Sequence, residues 1–164
     1  MDKKSHHPRR FRSANYSLRW TACVPLTAAG HFFTVTDTAL KAVPPNGTGV
    51  YLFCRRQGAR LIPQYIGRSK RVRQRIREHL ERVSLVRALG EGAGKRCVLV
   101  AMVQTCRGQS AVRVAHEVEN CLIRRFRDLG YALVNERGMH APTRTVHWLG
   151  MSRYRRLIPK KMKL

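Results

Sequence analysis

The chain has 164 residues, with 33 Lys or Arg against 9 Asp or Glu, for a formal net charge of +24. That length suits one compact domain with basic ends, and 43% hydrophobic residues supply a core and exclude a wholly disordered chain. The charge favours polyanions as partners, nucleic acid first, and the longest apolar run, Val98 to Val103, is far too short to cross a bilayer.

Residues 1 to 46 read as a basic N-terminal arm (Lys3-Lys4, Arg9-Arg10, Arg12) with a short packing segment at Phe32-Phe33-Thr34-Val35. No sustained apolar stretch follows Arg9-Arg10, so a transit or twin-arginine signal is not expected. Pro44-Pro45-Asn46-Gly47 punctuates the chain, because neither proline continues a helix and Asn-Gly favours a turn. The organised domain, 47–138, starts there.

Gly49 to Arg56 alternates as a strand, with Val50, Leu52 and Cys54 on one face and Tyr51 and Phe53 on the other. Gln57-Gly58 closes a hairpin. The returning strand, Arg60 to Ile66, carries Pro63, which lacks an N–H and belongs at an edge or a bulge; Leu61 and Tyr65 are expected to share a face. From Lys70 the period becomes helical, with Val72, Ile76, Leu80 and Val83 inside a heavily arginine-coated helix that ends at Gly90, Gly92 and Gly94. Cys97 to Val103, continuously apolar, reads as a central strand buried on both faces. A second helix runs from about Ala111 to Asp128, with Val114, Val118, Leu122 and Phe126 as its core stripe and Gly130 as its C′ residue. The order is β-β-α-β-α. Residues 139–164 form a basic C-terminal extension in which Trp148, Leu149, Tyr154, Leu157 and Ile158 are available to pack before the tail Lys160-Lys161-Met162-Lys163. The five cysteines are odd in number and hold no CxxC pair, so a reduced, cytoplasmic protein is expected.

With nine carboxylates, few places can supply oxygen ligands to a cation. Glu119 stands beside Val118 and Leu122 at the edge of the second helix's buried stripe, whereas Glu117 points about 160° further round, at two helical steps of about 100°. Both cannot easily serve one ion. On the first helix Arg75 and His79 are i and i+4, each beside a core position. Singly, each of these residues is more often surface or filler; their value lies in their order and spacing.

Gly49-Val50-Tyr51, a hairpin, Tyr65-Ile66-Gly67, then Arg75, His79, Glu119 and Asn135 together resemble the GIY-YIG nuclease family over about residues 48 to 138. Val50 stands where the first triplet has isoleucine. The resemblance implies an α/β fold with a small antiparallel three-stranded sheet flanked by helices, and a metal-dependent endonuclease acting on DNA. It implies Glu119 as the ligand of one Mg²⁺ (or Mn²⁺), an ion that keeps several waters and acts as Lewis acid on the scissile phosphate. Arg75 would fork onto the phosphate oxygens. Tyr51 and Tyr65 would position or deprotonate the water, with Tyr51 the base if cationic charge lowers its pKa. His79 would orient Tyr51 or share its proton, and Asn135 would pin the loop after the second helix.

Arginines outnumber lysines about three to one, which favours phosphate forks over simple solubility. Arg68, Lys70, Arg71 and Arg73 flank the site and are read as nucleic-acid backbone contacts. Two alternatives stay open: a non-catalytic basic nucleic-acid-binding protein, and an RNase using the same site. Oligomeric state is not readable.

Overall fold

The computed structural model describes residues 15–135, 145–149, 157–159 and 161–163. The basic pairs at 3–4 and 9–10, and Tyr154, lie outside the described residues. The elements are β1 (Asn15–Ala29), β2 (Phe32–Thr34), α1 (Asp37–Leu40), β3 (Gly49–Gln57), β4 (Arg60–Ser69), α2 (Val72–Leu80), α3 (Val83–Gly90), β5 (Lys95–Gln104), α4 (Ala111–Asp128), β6 (Thr145–Leu149) and β7 (Lys161–Lys163).

The β-β-α-β-α reading is found in β3 to α4 with its first helix divided into α2 and α3, but the sheet is larger than the three strands expected. Its strand order is β4-β3-β5-β1-β6-β7, with β2 paired to β1 as a seventh strand. The reason is β5: its Cys97–Ala101 stretch is buried on both faces, and β1 covers the edge that β3 leaves open, pairing antiparallel from Ser17↔Gln104 to Leu26↔Arg96. From residue 15, the stretch read as an arm is therefore an interior strand. The C-terminal stretch joins the same sheet, with β6 parallel to β1 and Trp148 stacked on Trp20 at 5.1 Å between ring centroids. The end read as a tail supplies β7, paired to β6.

Two cores lie on the two sheet faces. One packs Val50, Leu52, Leu99, Leu18 and Trp20 against α4; the other packs Tyr51, Phe53, Val98, Val100 and Val24 against α2 and α3. The basic helix expected from Lys70 is two helices. Arg82, at φ −82° and ψ 116°, is extended and re-aims the chain, so Leu85, Val86 and Leu89 enter the core while Val83, expected inside, is 69% exposed.

Helix α4 matches its expected bounds. Ser110 Oγ accepts from Arg113 N–H at its start. At its end Gly130 N–H donates to Arg127 O and Tyr131 N–H to Phe126 O, while the Phe126 and Tyr131 rings meet edge-on at 5.9 Å, the hydrogen bonds and apolar contact of a Schellman cap.

Strand β4 is an edge strand of the sheet and also holds a bulge, the two places open to Pro63. The register passes from Phe53↔Tyr65 to Cys54↔Pro63, leaving Gln64 as the extra residue. That extra residue overturns the expectation that Leu61 and Tyr65 share a face. Leu61 lies in the α4-side core, and Tyr65 is turned to the opposite core, beside Tyr51.

Candidate active site

Four aromatic rings from two strands and a helix converge on the α2 side of the sheet. Tyr51 and Phe53 alternate onto that face of β3, the bulge delivers Tyr65 from β4, and the last turn of α2 brings His79. Centroid separations are 6.4 Å for Tyr51 and Tyr65, 5.6 Å for Tyr51 and His79, 4.7 Å for Tyr65 and His79, and 6.0 Å for Phe53 and His79. His79 is 1% exposed rather than at the rim of the core, and among the described residues neither ring nitrogen has a hydrogen-bond partner. Burial, followed by the charges of Arg82 and Arg75, pushes its pKa down to about 4, so the imidazole is neutral at pH 7.

Arg75, one helical turn before His79, reaches toward the Tyr51 hydroxyl and also pairs with Glu78 at 2.7 Å. Tyr51 is buried, and burial raises its pKa above the usual tyrosine value, with the neighbouring Tyr65 adding to the effect; the Arg75 guanidinium pulls the other way and does not prevail. Tyr65, half-buried, is raised for the same first reason, with Arg82 and Arg75 opposing and Glu119 reinforcing. Both hydroxyls are thus protonated in the free protein.

Glu119 comes from α4, on the other side of the sheet, and its charge is felt by both tyrosines around the β4 edge. It pairs with Arg68 Nε at 2.7 Å, with the Arg68 side chain 38% and the Glu119 side chain 16% exposed. Burial raises its pKa, and Arg68 counteracts this. Glu117 faces away from this group, as expected, but is buried: it accepts a hydrogen bond from the Tyr16 hydroxyl at 2.6 Å and from Arg113 Nε at 3.0 Å, tying β1 to α4.

The Tyr51 ring lies over position 67, where a glycine leaves it room. A Cβ on Gly67 would stand 2.5 Å from both Cζ and the hydroxyl oxygen of Tyr51. Gly49 permits a second close approach, since its Cβ would meet Ala101 O at 2.6 Å. Gly67→Ala is expected to expel the Tyr51 ring from its seat, lower unfolding free energy by about 1–3 kcal/mol as an overpacked site does, and depress any cleavage. Urea unfolding checks it, and an unchanged midpoint would mean that the ring has another place to go.

Asn135 binds the outer edge of β4. Its Oδ1 accepts from Ile66 N–H at 3.1 Å and its Nδ2 donates to Ile66 O at 2.5 Å, so the residue next to Gly67 has both backbone groups satisfied. Arg68, Lys70 and Arg71 are exposed around the cluster; Arg73 is half-buried and donates Nε to Val43 O at 3.0 Å. Two contributors escaped the sequence reading. Phe53 walls the cluster, and its place on the Tyr51 face was the available signal. Arg82 acts electrostatically on both Tyr65 and His79, and its i+3 spacing from His79 was the sign.

Among the described residues, no group of three or more His, Cys, Asp or Glu could hold an ion. A hard divalent cation that retains most of its waters needs one carboxylate, and Glu119, a partly desolvated anion paired with a single exchangeable arginine, fits that donor chemistry. No helix among the described residues is long and apolar enough to cross a membrane.

Searches of curated proteins and of solved structures return no match. The family model for the GIY-YIG catalytic domain matches residues 47–132, the segment that carries Tyr51, Tyr65, Arg75, His79 and Glu119, and extends over more than half of the chain. The chain belongs to the GIY-YIG family, and its function is of the nuclease type.

Proposed function

We infer that the protein is a Mg²⁺- or Mn²⁺-dependent endonuclease hydrolysing DNA phosphodiesters to 5′-phosphate and 3′-hydroxyl ends, with Tyr51, Tyr65, Arg75, His79, Glu119 and Asn135 as its catalytic set. The observation that carries this reading is the convergence of a buried tyrosine, a second tyrosine, an arginine and a neutral histidine with a carboxylate whose charge both tyrosines feel. A protein that only bound nucleic acid would gain nothing from a carboxylate among its arginines.

Glu119 would hold the ion, which supplies Lewis-acid polarisation of the scissile phosphate and charge stabilisation at the leaving oxygen. Tyr51 orients the attacking water and accepts its proton as the water oxygen bonds to phosphorus and the bond to the 3′ oxygen breaks. Since burial keeps Tyr51 protonated in the free protein, this role depends on the cationic charge gathered when substrate and ion are bound. Arg75 forks onto the non-bridging oxygens, where charge accumulates in the transition state. Neutral His79 packs against both tyrosine rings and orients Tyr51; sharing its proton would require a hydrogen bond that forms with substrate. Asn135 fixes β4 so that Tyr65 and Gly67 keep their places. Arg68, Lys70, Arg71 and Arg73 contact backbone phosphates and set register.

Incubating the full chain with supercoiled plasmid, with and without Mg²⁺, tests the reading. Nicked or linear product only with the ion is expected; conversion unaffected by EDTA, or none under either condition, would overturn it. Parallel incubation with a structured RNA distinguishes the RNase alternative.

A further inference from the structure

A second feature lies on the same sheet face as the tyrosines, on the far side of Arg82. A cleft of about 870 Å³ opens between the β1–β2 hairpin and α3, floored by Pro25, Leu26, Phe32, Val83 and Val86. Two of these apolar side chains are conspicuously bare: Phe32 is 60% and Val83 69% exposed. Half of the cleft comes from residues 25–33, outside the matched segment 47–132, so the family's own domain does not make it.

Its charge is one-sided. His31, Arg87, Lys95 and Arg96 line it, with no acidic residue among the lining. Arg96 is committed to the fold, donating Nε to Leu89 O at 2.5 Å and Nη2 to Gly92 O at 2.6 Å while lying 5.7 Å over the Phe33 ring. Arg87 and Lys95 are exposed and, among the described residues, have no ion-pair partner. An apolar floor with an exposed aromatic face and a rim of free cations is the pattern that takes a base on its π-face and the adjoining phosphates on its edge.

We propose that this cleft binds an unpaired nucleobase of the substrate, stacked on Phe32 between the hairpin and Val83, with its flanking phosphates on Arg87 and Lys95. The proposal rests on the nuclease reading for its substrate class. A strand leaving the tyrosine cluster passes Arg82, whose charge reaches Tyr65 and His79 and which directly precedes Val83. The volume lies in the range of small-ligand sites and accommodates a nucleotide unit, whereas a paired duplex cannot insert a base without opening. The protein would therefore favour substrates that already contain a single-stranded flap, gap or loop.

The test is binding, read without turnover, so that it stands apart from whether the site cuts. Fluorescence anisotropy in EDTA would compare the full-length wild type with Phe32→Ala on two probes of equal length: a blunt duplex, and the same duplex with a short single-stranded flap. Phe32→Ala is expected to lose roughly tenfold in affinity for the flapped probe while changing less than about twofold on the duplex. Arg87→Ala with Lys95→Ala should flatten the salt dependence on the flapped probe. An equal effect of Phe32→Ala on both probes, or none on either, overturns the proposal. So does a loss of self-association in sedimentation with flap binding intact, which would make the cleft a contact between copies. Because Phe32 is mostly exposed, the variant is expected to fold, and circular dichroism with an unchanged melting temperature confirms this.

Discussion

Glu119→Ala is expected to abolish Mg²⁺-dependent plasmid cleavage while leaving affinity for DNA equal or slightly higher. No other residue of the set brings a carboxylate to the two tyrosines, and α4 carries it to the β4 edge from the opposite side of the sheet. Removing it deletes the carboxylate proposed to hold the ion and frees the half-exposed Arg68, now held at 2.7 Å, to meet phosphate. The stability cost is small, since an ion pair this close to solvent contributes about 1 kcal/mol or less. A folded variant that binds and does not cut is thus the expected result, read by nicking and by anisotropy on one preparation. Cutting within about tenfold of wild type would remove Glu119 from the mechanism.

Tyr51→Phe is the second decisive substitution, because it takes away one oxygen from a side chain that is 1% exposed and leaves its packing on Phe53, Tyr65 and His79 in place. Melting should move by no more than the loss of one hydrogen bond, about 1 kcal/mol. Cleavage should fall by roughly 10² or more, the scale of a lost general base. The pH profile adds a reading that packing alone would not produce. Burial holds the Tyr51 pKa above the ordinary tyrosine value, so the deprotonated fraction grows with each step of pH through the neutral range, and the wild-type rate should climb with it. His79, neutral above about pH 4, adds no break near the usual histidine value. In the phenylalanine variant the residual rate should lose the Tyr51-dependent part of that climb. A stable variant that nicks at the wild-type rate with the same profile would make Tyr51 a core residue only.

What the sequence determined by itself was whatever is local and periodic. Alternation along β3 places Tyr51 and Phe53 opposite Val50 and Leu52, helical spacing sets the bounds and stripe of α4, and Arg75 and His79 follow from an i, i+4 relation on α2; each depends on residues within a turn or two of one another. The ordered series of residues also identified the family before any coordinates. Strand β1 was legible in principle and missed. Tyr16, Leu18, Trp20, Ala22, Val24 and Leu26 alternate without a break, but Arg19 and Pro25 on the other positions disguised them as an arm. Even read correctly, that pattern would have put all six on one face, whereas the bulge at Thr21 sends Tyr16, Leu18 and Trp20 to the α4 side and Ala22, Val24 and Leu26 to the α2 side.

Tertiary structure alone decided the features that depend on register and on contacts between distant elements. The single extra residue at Gln64 turns Tyr65 onto the face of Tyr51, since a strand has a side-chain period of two and one insertion inverts every position beyond it. The close fit of Tyr51 over Gly67 follows from their pairing across β3 and β4. Burial of Glu117 against Tyr16 needs β1 to lie beneath α4, and the cleft under Phe32 needs the β1–β2 hairpin to meet α3. A one-dimensional pattern states which face a residue takes within its own element; it contains no term for which element lies opposite, and that is where both the shared tyrosine site and the cleft arise.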